Sequence, residues 1–229
     1  MKPKRRRAPT SPLEVANRKS DPAFITDYLS SGPEDIQKWM TEWTHPRTNE
    51  TYDISLISPG KMTETELQTC LDLIEETSGK DYANSAGRWH PDKKLVEMKS
   101  PELRYILVRS RGPGRDIRGF TSLMPTYEAG EPVVYCYEIH LKPDLQGTGL
   151  GTILMNFHTT VATNLPPITK VMLTCFLSNR RGLEFYHKLG FQKDDISPRP
   201  RRLRFGKVFQ PDYVIMSKQI RPDEAKLSA

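Results

Sequence analysis

Only three cysteines occur in 229 residues, none in a Cys-x-x-Cys pair, and an odd number of widely spaced thiols makes no disulfide framework. Reduced, intracellular surroundings suit them better than a secreted setting. No cysteine and histidine group has the spacing of a zinc site, so no metal is expected. The chain also lacks any apolar run near the ~18 residues that a membrane span requires. Its N-terminus is basic without an apolar stretch behind it, so neither a signal peptide nor a membrane partner is expected, and cytoplasm and nucleus are the expected locations. A chain this long can bury one substantial core without a metal or disulfide staple.

The net charge of +6 is unevenly placed. Lys2, Lys4, Arg5, Arg6 and Arg7 carry five positive charges and Arg199, Arg201, Arg202, Arg204 and Lys207 five more, which leaves −4 on the rest. A mildly acidic body suits a cationic partner such as a basic peptide. Residues 1–12 are basic, Pro-containing and free of aromatics, which predicts a disordered tail. Such a tail serves nuclear import, attachment to an RNA-rich surface such as the ribosome, or plain solubility. A chromatin or nucleic-acid binding module built on both clusters is the non-enzyme reading. Stacking aromatics accompany those clusters only at Phe205 and Phe209, so nucleic acid is not expected as an obligate partner.

Along the chain, apolar residues from Leu13 to Trp43 recur at roughly helical spacing with a break at Gly32-Pro33, predicting two short helices in an N-terminal extension over 13–48. The main domain is expected over 49–220, and 221–229 reads as a tail. Tyr52 to Ile57 reads as a strand. Thr63-Glu64-Thr65-Glu66 has capping-box form and opens a helix with Leu67, Leu71 and Ile74 inward, ending before Gly79. Another helix follows Pro91. Strands are expected at 105–108, 117–123, 133–141, 171–176 and 213–216, with helices after Gly149 and Asn179. Strands alternating with helices define an α+β fold of α/β-type layers, a central sheet flanked by helices, rather than a bundle or sandwich.

The most informative stretch is Val133–Gly151, VVYCYEIHLKPDLQGTGLG. Period-two alternation puts Val133, Tyr135, Tyr137, Ile139 and Leu141 on one face and Val134, Cys136, Glu138 and His140 on the other. Pro143 closes the strand, and Gln146-Gly147-Thr148-Gly149-Leu150-Gly151 leads into an apolar helix. Glycines there let backbone amides approach an anion at a helix N-terminus. The turn is neither a P-loop, which needs Gly-Lys-Ser/Thr, nor the G-x-G-x-x-G dinucleotide fingerprint.

This Gln-x-x-Gly-x-Gly spacing resembles the pyrophosphate-binding signature of the GCN5-related N-acetyltransferase (GNAT) superfamily. A second match lies in Leu173-Thr174-Cys175, Asn179, Tyr186 and Leu189-Gly190-Phe191. Within the superfamily, YCYEIHL and KVMLTCF resemble the N-alpha-acetyltransferase D (NatD) branch, which acts on histone 4 and histone 2A chains beginning Ser-Gly-Arg-Gly. The resemblance implies that Ile139, His140 and Leu141, with Gly147, Thr148, Gly149, Leu150, Gly151, Thr152 and Asn179, hold acetyl-coenzyme A, Gln146 beginning the loop. It implies that Tyr82, Trp89, Thr126, Tyr127, Glu128, Tyr135, Tyr137, Thr174 and Tyr213 meet histone N-terminal peptides. Gly87 stands where the branch has a tryptophan and Thr126 where it has an aspartate.

Acetyl transfer to an amine needs a group to take the amine proton and one to protonate the leaving thiolate. Glu138 is the expected base, directly or through water, with a carboxyl raised by desolvation; a peptide-binding carboxylate is the competing reading. Tyr186 is the expected acid, against plain helix packing. The imidazole of His140 reads as structural. Lysine side chains or small amines are the alternative acceptors.

Overall fold

The computed structural model describes residues 11–34, 36–202 and 208–220. The basic tail up to residue 10, Arg204, Phe205 and Lys207, and the C-terminal tail 221–229 lie outside the described residues. Short helices α1 (Pro12–Asn17) and α2 (Asp21–Phe24) lead into a π-helical turn at Ile25–Leu29. Each helix opens on a serine whose hydroxyl accepts from a backbone N–H, with proline in the first turn. The helical reading of the extension stops at Leu29. Trp39 and Met40 pack on the core from an irregular segment, and Trp43 is the buried centre of strand β1 (Glu42–Thr44). Its neighbours alternate outward, a period of two hidden in a short segment.

Strands β2 (Thr51–Ile57), β3 (Arg104–Ser110), β4 (Ile117–Glu128), β5 (Glu131–Leu141) and β6 (Lys170–Phe176) form the body of the sheet. After β6 come β7 (Gln192–Lys193), β8 (Arg201–Arg202), β9 (Val208–Phe209) and β10 (Tyr213–Gln219). The main sheet runs β1-β2-β3-β4-β5-β6-β10-β7, and β8 pairs with β9 separately. All its pairings are antiparallel except β5 with β6. Strand β4 runs five residues past its expected end, through Pro125, into a tight hairpin. Ala129 (φ 49°) and Gly130 (φ 87°) both occupy the left-handed region that a two-residue hairpin turn demands, and Glu128 thereby pairs with Glu131.

Helices α3 (Glu64–Ala83) and α4 (Pro91–Met98) cover one sheet face, and α5 (Leu150–Asn164) and α6 (Arg180–Lys188), with the N-terminal helices, cover the other. The capping box at Thr63 and Glu66 is present in both directions. Helix α3 does not stop at Gly79. An interior glycine costs about 1 kcal/mol, and the last turn offsets that by packing Tyr82 at 4.9 Å from both Trp89 and Phe176. The extension is tied to the sheet by Arg104, buried on β3, whose Nη1 lies 2.6 Å from Asp21 Oδ1 while its guanidinium stacks 4.5 Å from the Phe24 ring. Among the described residues no helix is long and apolar enough to cross a membrane, no metal-binding cluster is present, and all three cysteines are free and buried.

Candidate active site

Two irregularities in the sheet make the site. Strands β5 and β6 pair in parallel from Val133–Lys170 to Cys136–Leu173 and then part, although β5 continues to Leu141 and β6 to Phe176. Between the diverging ends opens a cleft of about 390 Å³. The second irregularity is a bulge. Ser122 of β4 pairs with Glu138 and the next residue, Leu123, with Cys136, so Tyr137 is an extra residue on β5. It reverses the alternation of everything after it. Cys136 faces α5, its Sγ 3.9 Å from Met155, whereas Glu138 and His140 face α3 and α4 beside Tyr137. Strict period-two reading had set Glu138 on the face of Cys136, opposite the tyrosines; that assignment is corrected.

Glu138 sits on the floor of the cleft with Tyr82, Tyr135, Tyr137, Thr174 and Tyr186 around it. Its Oε1 accepts from Lys94 Nζ at 2.8 Å and its Oε2 meets His140 Nε2 at 2.6 Å. Side-chain exposures of 13% for Lys94 and 10% for Glu138 make this a buried ion pair. Burial by itself raises the carboxyl, but the hydrogen bond and charge of His140 and the charge of Lys94 outweigh it and hold Glu138 below its ordinary value. The expected upward shift is therefore corrected: the sequence pattern contained the burial and not the ion pair with Lys94 or the hydrogen bond with His140. Against its own burial, Lys94 is pushed up by Glu138, Tyr82 and Glu97 and stays an ammonium, 5.7 Å over the Tyr82 ring. Burial pushes the phenols of Tyr82 and Tyr135 up to about 12 and that of Tyr186 well above its usual range, so all three keep their protons at neutral pH.

Beside the cleft lies the glycine turn. Gln146 Nε2 donates to Leu141 O at 3.0 Å and the Thr148 hydroxyl to Leu145 O at 2.6 Å, bracing the turn from within. Gly147 (φ 71°) and Gly149 (φ 91°) take the left-handed conformation, and no atom lies within 4 Å of where a Cβ on either would sit. Helix α5 starts at Leu150 with no side-chain cap from Gly149; the Leu150 N–H makes only a long 3.5 Å bond to Thr148 Oγ1 and the Thr152 N–H bonds Gly149 O at 3.1 Å, so the positive end of the helix dipole lies at the glycine turn. Gly151 has a different role: a Cβ there would lie 3.3 Å from Phe185 of α6. These residues fit a pyrophosphate.

The other expected site residues divide. Asn179, whose Oδ1 caps α6 by accepting from Gly182 N, and Glu128, Ile139 and His140 line the cleft. The Tyr135 hydroxyl bonds Thr174 Oγ1 at 2.6 Å across the split between the strands. Trp89 and Tyr213 line an adjoining second hollow of about 380 Å³ that shares Tyr82 and Lys94 with the first. Its rim includes Gly87 and Asp212, whose Oδ2 accepts from Ala86 N at 2.6 Å. Thr126 and Tyr127 line neither hollow, and Tyr127 is half exposed. Sequence reading missed Lys94, Glu97 and Thr77. Its sole cue was the i, i+3 spacing of Lys94 and Glu97, which resembles any solvated helix pair.

An anion-binding turn on one side and an acidic, tyrosine-lined cleft on the other give the layout of a two-sided group-transfer site. The Acetyltransferase (GNAT) family matches residues 69–191, more than half of the chain, and the chain belongs to that family. It is 32% identical over 159 residues to N-alpha-acetyltransferase 40 of Saccharomyces cerevisiae, covering 58% of this chain and 54% of that protein. The chain thus spans about half the length of that curated relative. Among solved structures, NAA60 of Arabidopsis thaliana in complex with a bisubstrate analogue superposes with a TM-score of 0.51 at 12% identity, over 73% of this chain and 99% of that one. A GNAT-family acetyltransferase of Listeria monocytogenes 4b F2365 does so with a TM-score of 0.50 at 13% identity, over 78% and 99%. The likeness to both is one of fold, the central sheet flanked by helices that the sequence predicts.

Proposed function

We propose that this chain transfers the acetyl group of acetyl-coenzyme A to the free N-terminal amine of peptides, with histone 4 and histone 2A chains beginning Ser-Gly-Arg-Gly as substrates. The observation that carries this is Glu138 on the floor of a cleft ringed by tyrosines and edged by Glu97 and Glu128, next to an uncapped helix start. The likeness to the N-alpha-acetyltransferase of Saccharomyces cerevisiae supports the same kind of acceptor.

Acetyl-coenzyme A supplies a thioester-activated acetyl group, and the amides of Gly147 to Thr152 would hold its pyrophosphate. The protein's own residues supply the rest. A free α-amine has a pKa near 8, against about 10.4 for a lysine side chain, so deprotonating it asks less of the base. Glu138, kept ionised by Lys94 and His140, is the carboxylate in the cleft that would accept the proton first. Tyr186 remains a protonated phenol on the cleft wall, the state a proton donor to a leaving thiolate must have. Tyr82, Tyr135 and Tyr137 would enclose a small first residue, while Glu97 and Glu128 at the rim suit an arginine further along. The basic segment 1–12 would carry the protein to the nucleus or to the ribosome surface.

Turnover on a panel of terminal peptides tests the proposal. The Ser-Gly-Arg-Gly peptide is expected to be acetylated on its terminal amine. Equal turnover of methionine-started acidic peptides, or of the same peptide with its amine blocked and only lysines free, overturns it.

A further inference from the structure

The second hollow is lined from two distant parts of the chain. One is the loop 84–90 between α3 and α4, which contributes Gly87 and Trp89; the other is the segment around β9 and the start of β10, which contributes Phe209, Asp212 and Tyr213. Within the loop the bonds are local: Ser85 Oγ donates to Tyr82 O at 2.9 Å and Arg88 N to Ser85 O at 3.3 Å. Among the described residues a single hydrogen bond ties residues 84–90 to anything beyond the two helices they connect. Ala86 N donates to Asp212 Oδ2 at 2.6 Å, across 126 residues of sequence.

Asp212 is the firm side of that bond. Its carbonyl accepts from Leu177 N at 2.8 Å, and the next residue, Tyr213, pairs with Phe176 of β6, so its backbone belongs to the sheet. The end of α3 has its own tie, Ser178 Oγ donating to Asp81 Oδ1 at 2.6 Å, but that tie stops short of the loop. Arg88, at φ 48°, lies in the left-handed region, which a non-glycine residue keeps only where its surroundings hold it. The hollow is also continuous with the cleft above Glu138, because Tyr82, Lys94, Glu97 and Phe176 line both. An extended chain advances about 3.4 Å per residue, so a peptide whose first residue lies beside Glu138 has the loop within reach of its next few residues.

We propose that Asp212 is a positioning residue for the acceptor peptide: by clasping Ala86 it holds the loop 84–90 to the start of β10 and fixes the wall along which the peptide lies past its first residue. The inference rests on the acetyl-transfer reading above. Asp212 touches no reacting atom. Lys94, which reaches Glu138 from α4, is secured independently, since Met98 at the end of that helix is buried and its carbonyl accepts from the Tyr105 hydroxyl at 2.9 Å. Loss of the clasp therefore loosens peptide binding and leaves the carboxylate and its cation in place.

The test compares Asp212→Ala and Asp212→Asn with wild type in the full chain, by steady-state kinetics with Ser-Gly-Arg-Gly peptide, coenzyme A calorimetry and NMR amide exchange. Alanine removes the acceptor, and peptide KM is expected to rise about fivefold, in the range that one hydrogen bond contributes. Both kcat and coenzyme affinity should stay within about twofold of wild type, a split that a general loss of stability would not produce. Asparagine keeps an oxygen that accepts from Ala86 N and should recover most of the rise. A folded alanine variant with wild-type KM, or an asparagine variant no better than alanine, overturns the proposal. Exchange judges it without turnover and without either variant. In wild type the Ala86 amide should be protected at least about tenfold more than that of Gly87, which has no partner among the described residues, and more so once peptide is added with coenzyme A. An unprotected Ala86 amide, or protection that the peptide leaves unchanged, overturns it even if the alanine variant fails to fold. No acetylation by wild type would sink the acetyl-transfer reading instead, while exchange with and without peptide still judges the clasp.

Discussion

Cys136 and Glu138 are two residues apart on one strand, yet their side chains lie on opposite faces of the sheet. Cys136 points to Met155 of α5 and Glu138 to Lys94 of α4, because Tyr137 is bulged out of register with β4. Without the bulge the carboxylate would be buried beneath α5, on the far side of the sheet from the tyrosines. The bulge and the parting of β5 from β6 adjoin each other in the sheet, so one distortion both turns the carboxylate and opens the cleft above it.

Glu138→Gln should lower kcat by a hundredfold or more, on the order of what positioned proton transfer contributes, with coenzyme affinity intact. Steady-state kinetics beside calorimetric coenzyme binding checks this. A loss confined to peptide KM would mark Glu138 as a binding carboxylate.

The same variant has a signature in stability. A carboxyl held below its unfolded value of 4.5 stabilises the fold above that pH and loses its contribution as pH falls through the depressed value. The stability difference between wild type and Glu138→Gln should be constant from about pH 5 to 8 and shrink below about pH 4. Urea midpoints across that range measure it.

Lys94→Met leaves Glu138 buried without its cation, the costly way to break such a pair, and should destabilise the protein by about 3 kcal/mol. The carboxyl should move up, drawing the acid limb of activity with it. Chemical denaturation and a pH profile read the two effects separately.

Gly149→Val forces a β-branched residue into a left-handed conformation, at a cost of about 1 to 2 kcal/mol, with no neighbouring atom to clash. The turn should change shape and coenzyme affinity fall at least tenfold while the fold persists. Calorimetry with coenzyme A, alongside a thermal melt, checks this.

In the peptide, replacing the third-position arginine by alanine should cost on the order of 1.5 to 3 kcal/mol in kcat/KM, a tenfold to hundredfold loss. Thr126, which lines neither hollow, offers no carboxylate to add to Glu128, so the lower end is expected. A double-mutant cycle with Glu128→Gln locates the contact: coupling is expected, and additivity would place the arginine elsewhere.

Much of this was legible in the chain itself. The capping box at Thr63, the strand from Val133, the glycine turn at 147–151 and the buried stripe of α5 are local patterns of spacing and backbone freedom, and they occur where the residues call for them. Gly79 was misread as a terminator because its partners in offsetting the cost, Trp89 and Phe176, act on Tyr82 from 7 and 94 residues further along the chain. Sequence determined which residue types were available to the site: a carboxylate in a tyrosine-rich strand before a phosphate-type turn. Tertiary structure alone decided which way that carboxylate faces and in what state it is held. A bulge arises from register against another strand, and Lys94 reaches Glu138 across 44 residues of sequence, so neither leaves a period in the local pattern.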